Sequence, residues 1–263
     1  MQIQFCTIAS GSSGNCTFIS AGKNKILIDA GLSGRAIEQG LTSVGINPRD
    51  LTAIFVTHEH GDHIKGAGIL SRRYRLPIYM TSGTAANKSA LGKIAPQNLM
   101  LVRPDVPVTL EGLSVTPFAV SHDANEPVGY TFQTDQHKIA ITTDLGHATD
   151  EVAAYLEGSD IIVLESNHDI DMLKNGPYPE VLKQRILSPL GHLSNAACGE
   201  LLAKVICKKT KHIFLAHLSQ DNNHPATAYE TVKNILTTDG IDIEKQITLT
   251  IANRHHPSTM ITL

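Results

Sequence analysis

The run His58-Glu59-His60-Gly61-Asp62-His63 places three imidazoles and the Asp62 carboxylate within six residues. It follows the apolar residues 51–57, which predict a buried strand, and precedes a helical pattern that begins near Asp62. The run therefore lies on a loop at the end of a strand, where His58 and His60 can project to the same side. Imidazole and carboxylate groups at this spacing suit a borderline metal ion such as zinc better than they suit a solvated polar loop.

Other ligand-type residues also follow predicted strands directly. They are His122, Asp144 and His217, after residues 113–120, 138–143 and 212–216. A catalytic zinc ion takes about four ligands, one of them water, so the chain offers more ligands than one ion needs. Taken singly, each of these residues is more often a turn residue or a hydrogen-bonded histidine. Together they predict a shared site, because open α/β sheets gather their sites at the ends of strands.

Strand and helix patterns alternate along the whole chain, without a long linker or an internal repeat. Strands are expected at 2–9, 16–20, 25–28, 51–57, 78–80, 99–102, 113–120, 130–134, 138–143, 161–165, 212–216 and 247–252. Helices are expected at 33–44, 64–74, 149–157, 194–207 and 225–237. The length of 263 residues and 41% hydrophobic content allow a large core. We expect one α/β domain of layered sheets spanning residues 1–263.

Composition narrows the class of partner. The formal net charge is −3, so no global basic field draws the chain to nucleic acid, and local patches or metal ions must hold any polyanion. The four cysteines form no CxxC pair, which favours reduced thiols. The sequence shows neither a signal peptide nor an apolar stretch of about 18 residues. The chain is therefore expected to be cytoplasmic, with no membrane contact.

The order of these residues resembles the metallo-β-lactamase superfamily. The matching residues are Asp29 after an early strand, then His58-x-His60-x-Asp62-His63, His122, Asp144 and His217. The resemblance covers most of the chain, and its histidine motif is specific. It implies an αββα sandwich with a dinuclear site along one edge. Asp29 would be a buried carboxylate that positions the histidine loop without binding metal.

The resemblance also implies a ligand set for two divalent metal ions, zinc or manganese, with iron as a further option. One ion would be held by His58, His60 and His122, the other by Asp62, His63 and His217, with Asp144 bridging the two. Such a pair lowers the pKa of a bridging water, so the expected nucleophile is a metal-held hydroxide. Asp62 is the candidate to orient this hydroxide or to move its proton.

Two further segments resemble the paired acid and histidine motifs of tRNase Z-like nucleases. They are Glu165-Ser166-Asn167-His168-Asp169 and Gly191-His192-Leu193-Ser194-Asn195. The resemblance implies that His192 protonates or stabilises the leaving group with the aid of Glu165. His192 also precedes a helix N-terminus, which favours a phosphate there, although a histidine that only packs at the helix start is the alternative. For His168 a supporting position behind the ligands, a substrate contact and a role in the fold all stay open.

The loop Ser10-Gly11-Ser12-Ser13-Gly14-Asn15 and the segment Ala216-His217-Leu218-Ser219 are similar to the small bacterial YycJ/WalJ group of this superfamily. That group is associated with 5′-to-3′ exonuclease activity on DNA. Ser12, Ser13, Asn15 and Ser194 are accordingly candidate substrate-binding residues. Backbone N–H groups of the Ser/Gly loop could hold a terminal phosphate.

The sequence thus predicts a dinuclear-metal phosphodiester hydrolase, a 5′-to-3′ exonuclease with DNA as its partner. A small-molecule phosphodiesterase or a glyoxalase II-like thioesterase would use the same ligands and is the second hypothesis. A non-catalytic metal-binding protein is the third. The complete ligand set argues against it, because a binding module does not need an open position for water.

Overall fold

A computed structural model describes residues 1–87, 91–243 and 245–263. Its strands are β1 (Ile3–Ala9), β2 (Cys16–Ala21), β3 (Asn24–Ile28), β4 (Ala53–Phe55), β5 (Ile78–Thr81), β6 (Leu99–Val102), β7 (Val108–Leu110), β8 (Leu113–Ala119), β9 (Val128–Gln133), β10 (Lys138–Thr142), β11 (Ile161–Glu165), β12 (His212–Ala216), β13 (Thr248–Ile251) and β14 (Ile261–Thr262). Its helices are α1 (Gly34–Ser43), α2 (Gly61–Ile64), α3 (Ala67–Tyr74), α4 (Ser82–Ala86), α5 (Asp150–Leu156), α6 (Ile170–Asn175), α7 (Glu180–Leu187), α8 (Asn195–Val205) and α9 (Pro225–Thr238).

The strands form two seven-stranded sheets; β1 to β6 and the C-terminal β14 make the first, and β7 to β13 make the second. The first has the order β14-β1-β2-β3-β4-β5-β6, and the second has the order β13-β12-β11-β10-β9-β8-β7. In the first sheet β3 to β6 run parallel, and in the second β10 to β13 do so. Two antiparallel pairings, β8 with β9 and β9 with β10, make β8 parallel to β10 as well. The carboxyl ends of β8, β10, β11 and β12 therefore meet at one edge.

Alternating apolar residues along the strands decide how the sheets stack, because successive side chains point to opposite faces. On β1, Phe5 faces the second sheet, where its ring centroid lies 4.9 Å from that of Phe214, whereas Cys6 and Ile8 face the helices. One apolar cluster fills the space between the sheets, and two others lie beneath the outer helices. The expected αββα sandwich is confirmed.

A buried tyrosine ties the two sheets together next to the histidine loop. Tyr130 of β9 donates its hydroxyl hydrogen to the Val56 carbonyl oxygen across 2.8 Å. Val56 follows the end of β4 and precedes His58, the first residue of the histidine loop, by two positions. A buried hydroxyl keeps a partner because an unpaired one costs about 1–3 kcal/mol. The loop thus starts from a point fixed by both sheets.

The structure differs from the predicted elements in a few places. The predicted strand 51–57 is a strand only over β4, since the chain turns into the histidine loop earlier. The predicted helix 64–74 is divided into α2 and α3, because the Gly66 N–H donates to the Ala30 carbonyl at 2.7 Å. The sequence patterns missed β7, β14, α4, α6 and α7, which are short and carry little periodicity. Among the described residues, no helix combines the length and the hydropathy needed to cross a bilayer.

Candidate metal centre

The histidine loop and three other strand ends converge at one edge of the sandwich. Three groups of residues place their potential ligand atoms within 4.8 Å of one another. The groups are His58, His60 and His122; Asp62, His63 and His217; and His58, His63 and Asp144. Asp144 lies between the first two groups. Its Oδ2 is 3.0 Å from His63 Nε2, and its Oδ1 is 3.7 Å from His122 Nε2. The residues predicted to hold two ions are thus brought together.

Two buried atoms in this cluster test whether it fits metal ions. His58 Nε2 and Asp144 Oδ2 have no hydrogen-bond partner among the described residues. A buried polar atom left unpaired is unfavourable, so native structures rarely keep one without a ligand or another reason. Both atoms belong to groups of nitrogen and oxygen donors, which divalent zinc and manganese accept. The residues present therefore fit a pair of divalent cations.

The backbone at the strand ends is unusual. Asp29 after β3, Asp144 after β10 and His217 after β12 have φ angles of 58°, 57° and 54°. This left-handed region is uncommon for residues other than glycine, although Asp, Asn and His occupy it more readily than most. Residues held in such conformations cluster at functional sites. At each of these residues the chain turns away from the strand, and the side chain at the turn is a carboxylate or an imidazole of the site.

Asp29 fixes both ends of the histidine loop, residues 58–63, by hydrogen bonds to Thr57 and His63. One of its oxygens accepts from the Thr57 backbone N–H at 2.8 Å, and the other accepts from His63 Nδ1 at 2.7 Å. Because Nδ1 of His63 carries the donated proton, Nε2 keeps its lone pair toward Asp144. Carboxylates of this kind fix the tautomer and orientation of metal-binding histidines. His122 is fixed in the same manner, since its Nδ1 donates to the Gly191 carbonyl at 3.1 Å.

Glu165, the last residue of β11, joins two histidines. Its Oε1 accepts from Nδ1 of His192 at 2.9 Å and from Nδ1 of His217 at 2.8 Å. Its Oε2 accepts from the backbone N–H groups of Leu145 and Leu193 at 2.8 and 3.0 Å. The side chain is 0% exposed, so Glu165 itself has no surface for a substrate. Asp144, Glu165, His192 and His217 also form a compact group, but the carboxylate of Glu165 is already occupied by these four donors.

The electrostatics of the cluster favour bound positive charge. Burial lowers the pKa of His58 well below 6.5, which keeps its imidazole neutral, as a metal ligand must be. Burial would also lower the pKa of His217, but Asp144 and hydrogen bonds to Asp62 and Glu165 raise it to about 10, so a metal ion bound there would replace a proton. Burial opposes charge on Glu165, yet His192 and His217 lower its pKa to about 2. These carboxylates are therefore ionised and attract cations.

Asp62 and His192 are the more open groups of the site. Their side chains are 25% and 22% exposed, against 3% for both Asp144 and His217. His192 lines a groove of about 200 Å³ together with Ser12, His217 and other residues. On its other side, His192 lines a cavity of about 380 Å³ that His168 and Ser194 also border. A substrate on this edge would therefore meet His192.

The structure places the other predicted residues in different surroundings. Asn15 is buried, and its Nδ2 lies 3.1 Å from His63 Nε2, so it contacts the histidine loop more than the groove. The Ser194 hydroxyl accepts from the Ala197 N–H at 3.2 Å and thereby caps α8. His168 is 1% exposed with no partner for either ring nitrogen among the described residues, and burial lowers its pKa to about 4.

Ser12 and Ser13 are exposed, and both hydroxyls accept from Arg254 Nη1 at 3.3 Å. The sequence analysis did not select this arginine. It follows β13, which runs parallel to β12, so the rule that found His217 at a strand end could also have found Arg254.

A glycine outside the histidine motif carries the tightest packing of the site. A Cβ atom on Gly31 would lie 1.6 Å from the Asp62 carbonyl oxygen and 2.8 Å from the Asn15 nitrogen. We expect Gly31→Ala to lower the free energy of unfolding by about 1–3 kcal/mol, because backbone must move to make room. The loop of His63 would shift with Asp62. Urea denaturation and metal analysis of the purified variant measure both effects.

Gly61 provides the matched control: although it lies inside the motif, a Cβ there would meet no atom of the described residues within 4 Å. Gly61→Ala should keep stability within about 1 kcal/mol, as Ala is favoured over Gly in a helix. Equal stability and metal content in the two variants would contradict the close approach at Gly31.

Comparisons with known proteins agree with this geometry. A family model described as the beta-lactamase superfamily domain matches residues 24–218. Exodeoxyribonuclease YycJ of Bacillus anthracis is 41% identical over 244 residues, which cover 92% of each protein. Exodeoxyribonuclease WalJ of Streptococcus pneumoniae strain D39 is 39% identical over 236 residues, covering 89% of this chain and 88% of WalJ. The metallo-β-lactamase fold protein YhfI of Bacillus subtilis has a TM-score of 0.75 at 17% identity, with 98% of each chain covered, and this likeness shows the fold alone.

Proposed function

The chain belongs to the β-lactamase superfamily, and on that basis we propose that it is a metal-dependent phosphodiester hydrolase that degrades DNA from an end. The observation that carries the proposal is the open histidine beside the metal centre: His192 is held by Glu165 and lies next to Asp144. Hydrolysis of a thioester breaks the acyl C–S bond and releases a thiolate, which departs without a proton donor. Hydrolysis of DNA breaks a P–O bond and releases an alkoxide, whose departure is faster when an acid protonates it. The two exodeoxyribonuclease relatives support DNA as the substrate.

The ligand groups would hold two divalent cations, zinc or manganese: one by His58, His60 and His122, the other by Asp62, His63 and His217, with Asp144 between them. Such a pair supplies positive charge opposite the phosphate oxygens and lowers the pKa of water for attack. The chain's own residues orient this chemistry. Asp29 and Glu165 position His63 and His217 through Nδ1, and Glu165 does not touch the substrate.

In this proposal Asp62 accepts a proton and His192 donates one. Asp62 is partly exposed and its Oδ2 lies 3.5 Å from His217 Nε2, so it can accept a proton from the attacking water. His192 donates through Nδ1 to Glu165, which leaves Nε2 to donate to the departing oxygen. Burial lowers the pKa of His192, but Glu165 outweighs it and raises the pKa above 6.5, which favours the protonated form. We propose that the strand is cut from its 5′ end, in the cytoplasm.

End-labelled oligonucleotides test this proposal. With manganese or zinc added, a single-stranded DNA labelled at its 5′ end should release a labelled mononucleotide first, and the same strand labelled at its 3′ end should shorten progressively. Release of the 3′-terminal nucleotide first would reverse the polarity. Failure to degrade DNA or RNA, together with hydrolysis of a thioester such as S-lactoylglutathione, would replace the nuclease by the thioesterase hypothesis.

A further inference from the structure

An arginine near the metal centre, Arg254, hydrogen-bonds only to neutral oxygens among the described residues. Arg254 Nη1 donates to the hydroxyls of Ser12 and Ser13, and Nη2 donates to the Leu218 carbonyl at 2.6 Å. All three partners are neutral oxygens. In the part of the chain that the structure describes, no salt bridge to Arg254 occurs. Arg254 is half-buried, and burial lowers the pKa of its guanidinium, with Asp221 and Tyr178 acting against this.

The position of Arg254 connects it to the catalytic edge. Leu218, whose carbonyl it binds, directly follows His217. The Ser10 hydroxyl, from the same loop as Ser12, accepts from the His217 backbone N–H at 2.8 Å. Ser12 lines the groove of about 200 Å³ that His192 and His217 also line. A DNA strand that reaches the metal centre through this groove therefore passes the loop that Arg254 contacts.

Ser12 and Ser13 offer further hydrogen-bond donors on the Ser10–Asn15 loop. Each of the two hydroxyls accepts from Arg254, so each keeps its own hydrogen for another acceptor. Neither Ser12 N–H nor Ser13 N–H has an acceptor among the residues described by the structure. Consecutive unpaired backbone N–H groups in a turn form a concave site for anions.

Gly11 allows the guanidinium to pack against this loop. Its φ angle is +137°, which side chains rarely adopt, and a Cβ would lie 3.0 Å from Arg254 Cζ. The carboxylate of Asp221 acts electrostatically on Arg254, and its Oδ2 accepts from the Tyr178 hydroxyl at 2.8 Å. The site thus combines a guanidinium that forms no salt bridge among the described residues with two hydroxyl and two backbone donors.

We propose that Arg254 and the Ser12–Ser13 loop bind a second phosphate of the DNA strand, next to the one that is hydrolysed. This inference rests on the proposed function, and it adds a binding site to it. The guanidinium fork matches two phosphate oxygens at once, which a lysine cannot do. The phosphate is either the terminal monoester of a 5′-phosphorylated end or a diester within the strand.

Binding measured without turnover separates these sources. Fluorescence anisotropy at low salt compares 5′-phosphorylated and 5′-hydroxyl oligonucleotides of the same sequence, with the metal-loaded protein and phosphorothioate linkages that resist hydrolysis. Arg254→Ala should weaken binding about tenfold or more, as loss of a charged hydrogen bond does, and Arg254→Lys should lie between the two. A loss confined to the 5′-phosphorylated strand identifies the terminal phosphate. An equal loss for both strands identifies an internal phosphate.

Two further variants keep the test decisive. The Ser12→Ala, Ser13→Ala double variant retains Arg254 and should weaken binding by a smaller factor, which matters if Arg254→Ala fails to fold. Arg49→Ala is the matched control: this residue precedes β4, at the edge of the sheet opposite the metal centre, and binding should not change. Binding of both strands unchanged in folded Arg254→Ala overturns the inference. Wild-type protein that binds through Arg254 but degrades no DNA overturns the proposed function and leaves the phosphate site standing.

Discussion

An Asp144→Asn variant should lose DNA hydrolysis by about 10²–10³-fold or more, the range seen when a charged group is removed from a preorganised site. It should also bind less metal than the two equivalents expected of the wild type. Asp144 is the carboxylate whose oxygens approach both histidine groups. Asn is the informative replacement because it tolerates the left-handed backbone at this position, whereas Ala would add strain. Rate measurements with manganese and metal analysis after gel filtration give both quantities.

Asp105 provides a matched control for this change. It has the same residue type and a left-handed φ of 64°, but it is exposed, and its carboxylate accepts from the Tyr155 hydroxyl away from the site. Asp105→Asn should leave rate and metal content unchanged. An Asp144→Asn protein with full activity and two bound ions would refute a bridging role for Asp144.

His192→Ala should slow DNA hydrolysis by at least about 10²-fold, the usual contribution of a general acid. The loss should be much smaller with bis-p-nitrophenyl phosphate, because nitrophenolate departs without being protonated. Metal content should not fall, since His192 is predicted to contact the leaving group and not an ion. The ratio of the two rate losses therefore measures proton donation separately from damage to the site.

His147→Ala is the control for this second change. His147 is exposed, borders the same cavity as His192 and lies 3.3 Å from the Pro189 carbonyl through Nδ1. Its loss should affect both substrates little. Equal rate losses for DNA and for the nitrophenyl ester in His192→Ala would assign His192 a binding or structural role.

Much of the candidate site could be predicted from the sequence because its residues follow recognisable strands. An apolar run such as that before Asp144 shows where a strand ends, and parallel strands bring their ends to one edge. The convergence of His122 and His217 on the histidine loop follows from that rule and from the superfamily resemblance. The layered α/β architecture follows from the alternation of strand and helix patterns, whereas the two-sheet sandwich follows from the superfamily resemblance. The short elements were missed because so few residues show no period.

Contacts across the fold could not be predicted in this way. That Glu165 serves two histidines depends on how β11, β12 and the loop before α8 pack together, which no local spacing records. Asn15 was expected to meet substrate, but its position behind His63 depends on the approach of Gly31 to Asp62. Arg254 lies far from the motif in sequence, so its link to Ser12 becomes visible only in three dimensions.

The left-handed conformations of Asp29, Asp144 and His217 affect more than geometry. Each disfavoured backbone conformation costs about 1–3 kcal/mol of folding free energy. Ions that bind only the native chain offset this penalty by mass action, by about 2.7 kcal/mol at a hundredfold excess over their dissociation constant. A shortage of these cations would therefore lower the amount of folded enzyme as well as its turnover, and the abundance of the protein would follow the supply of cations.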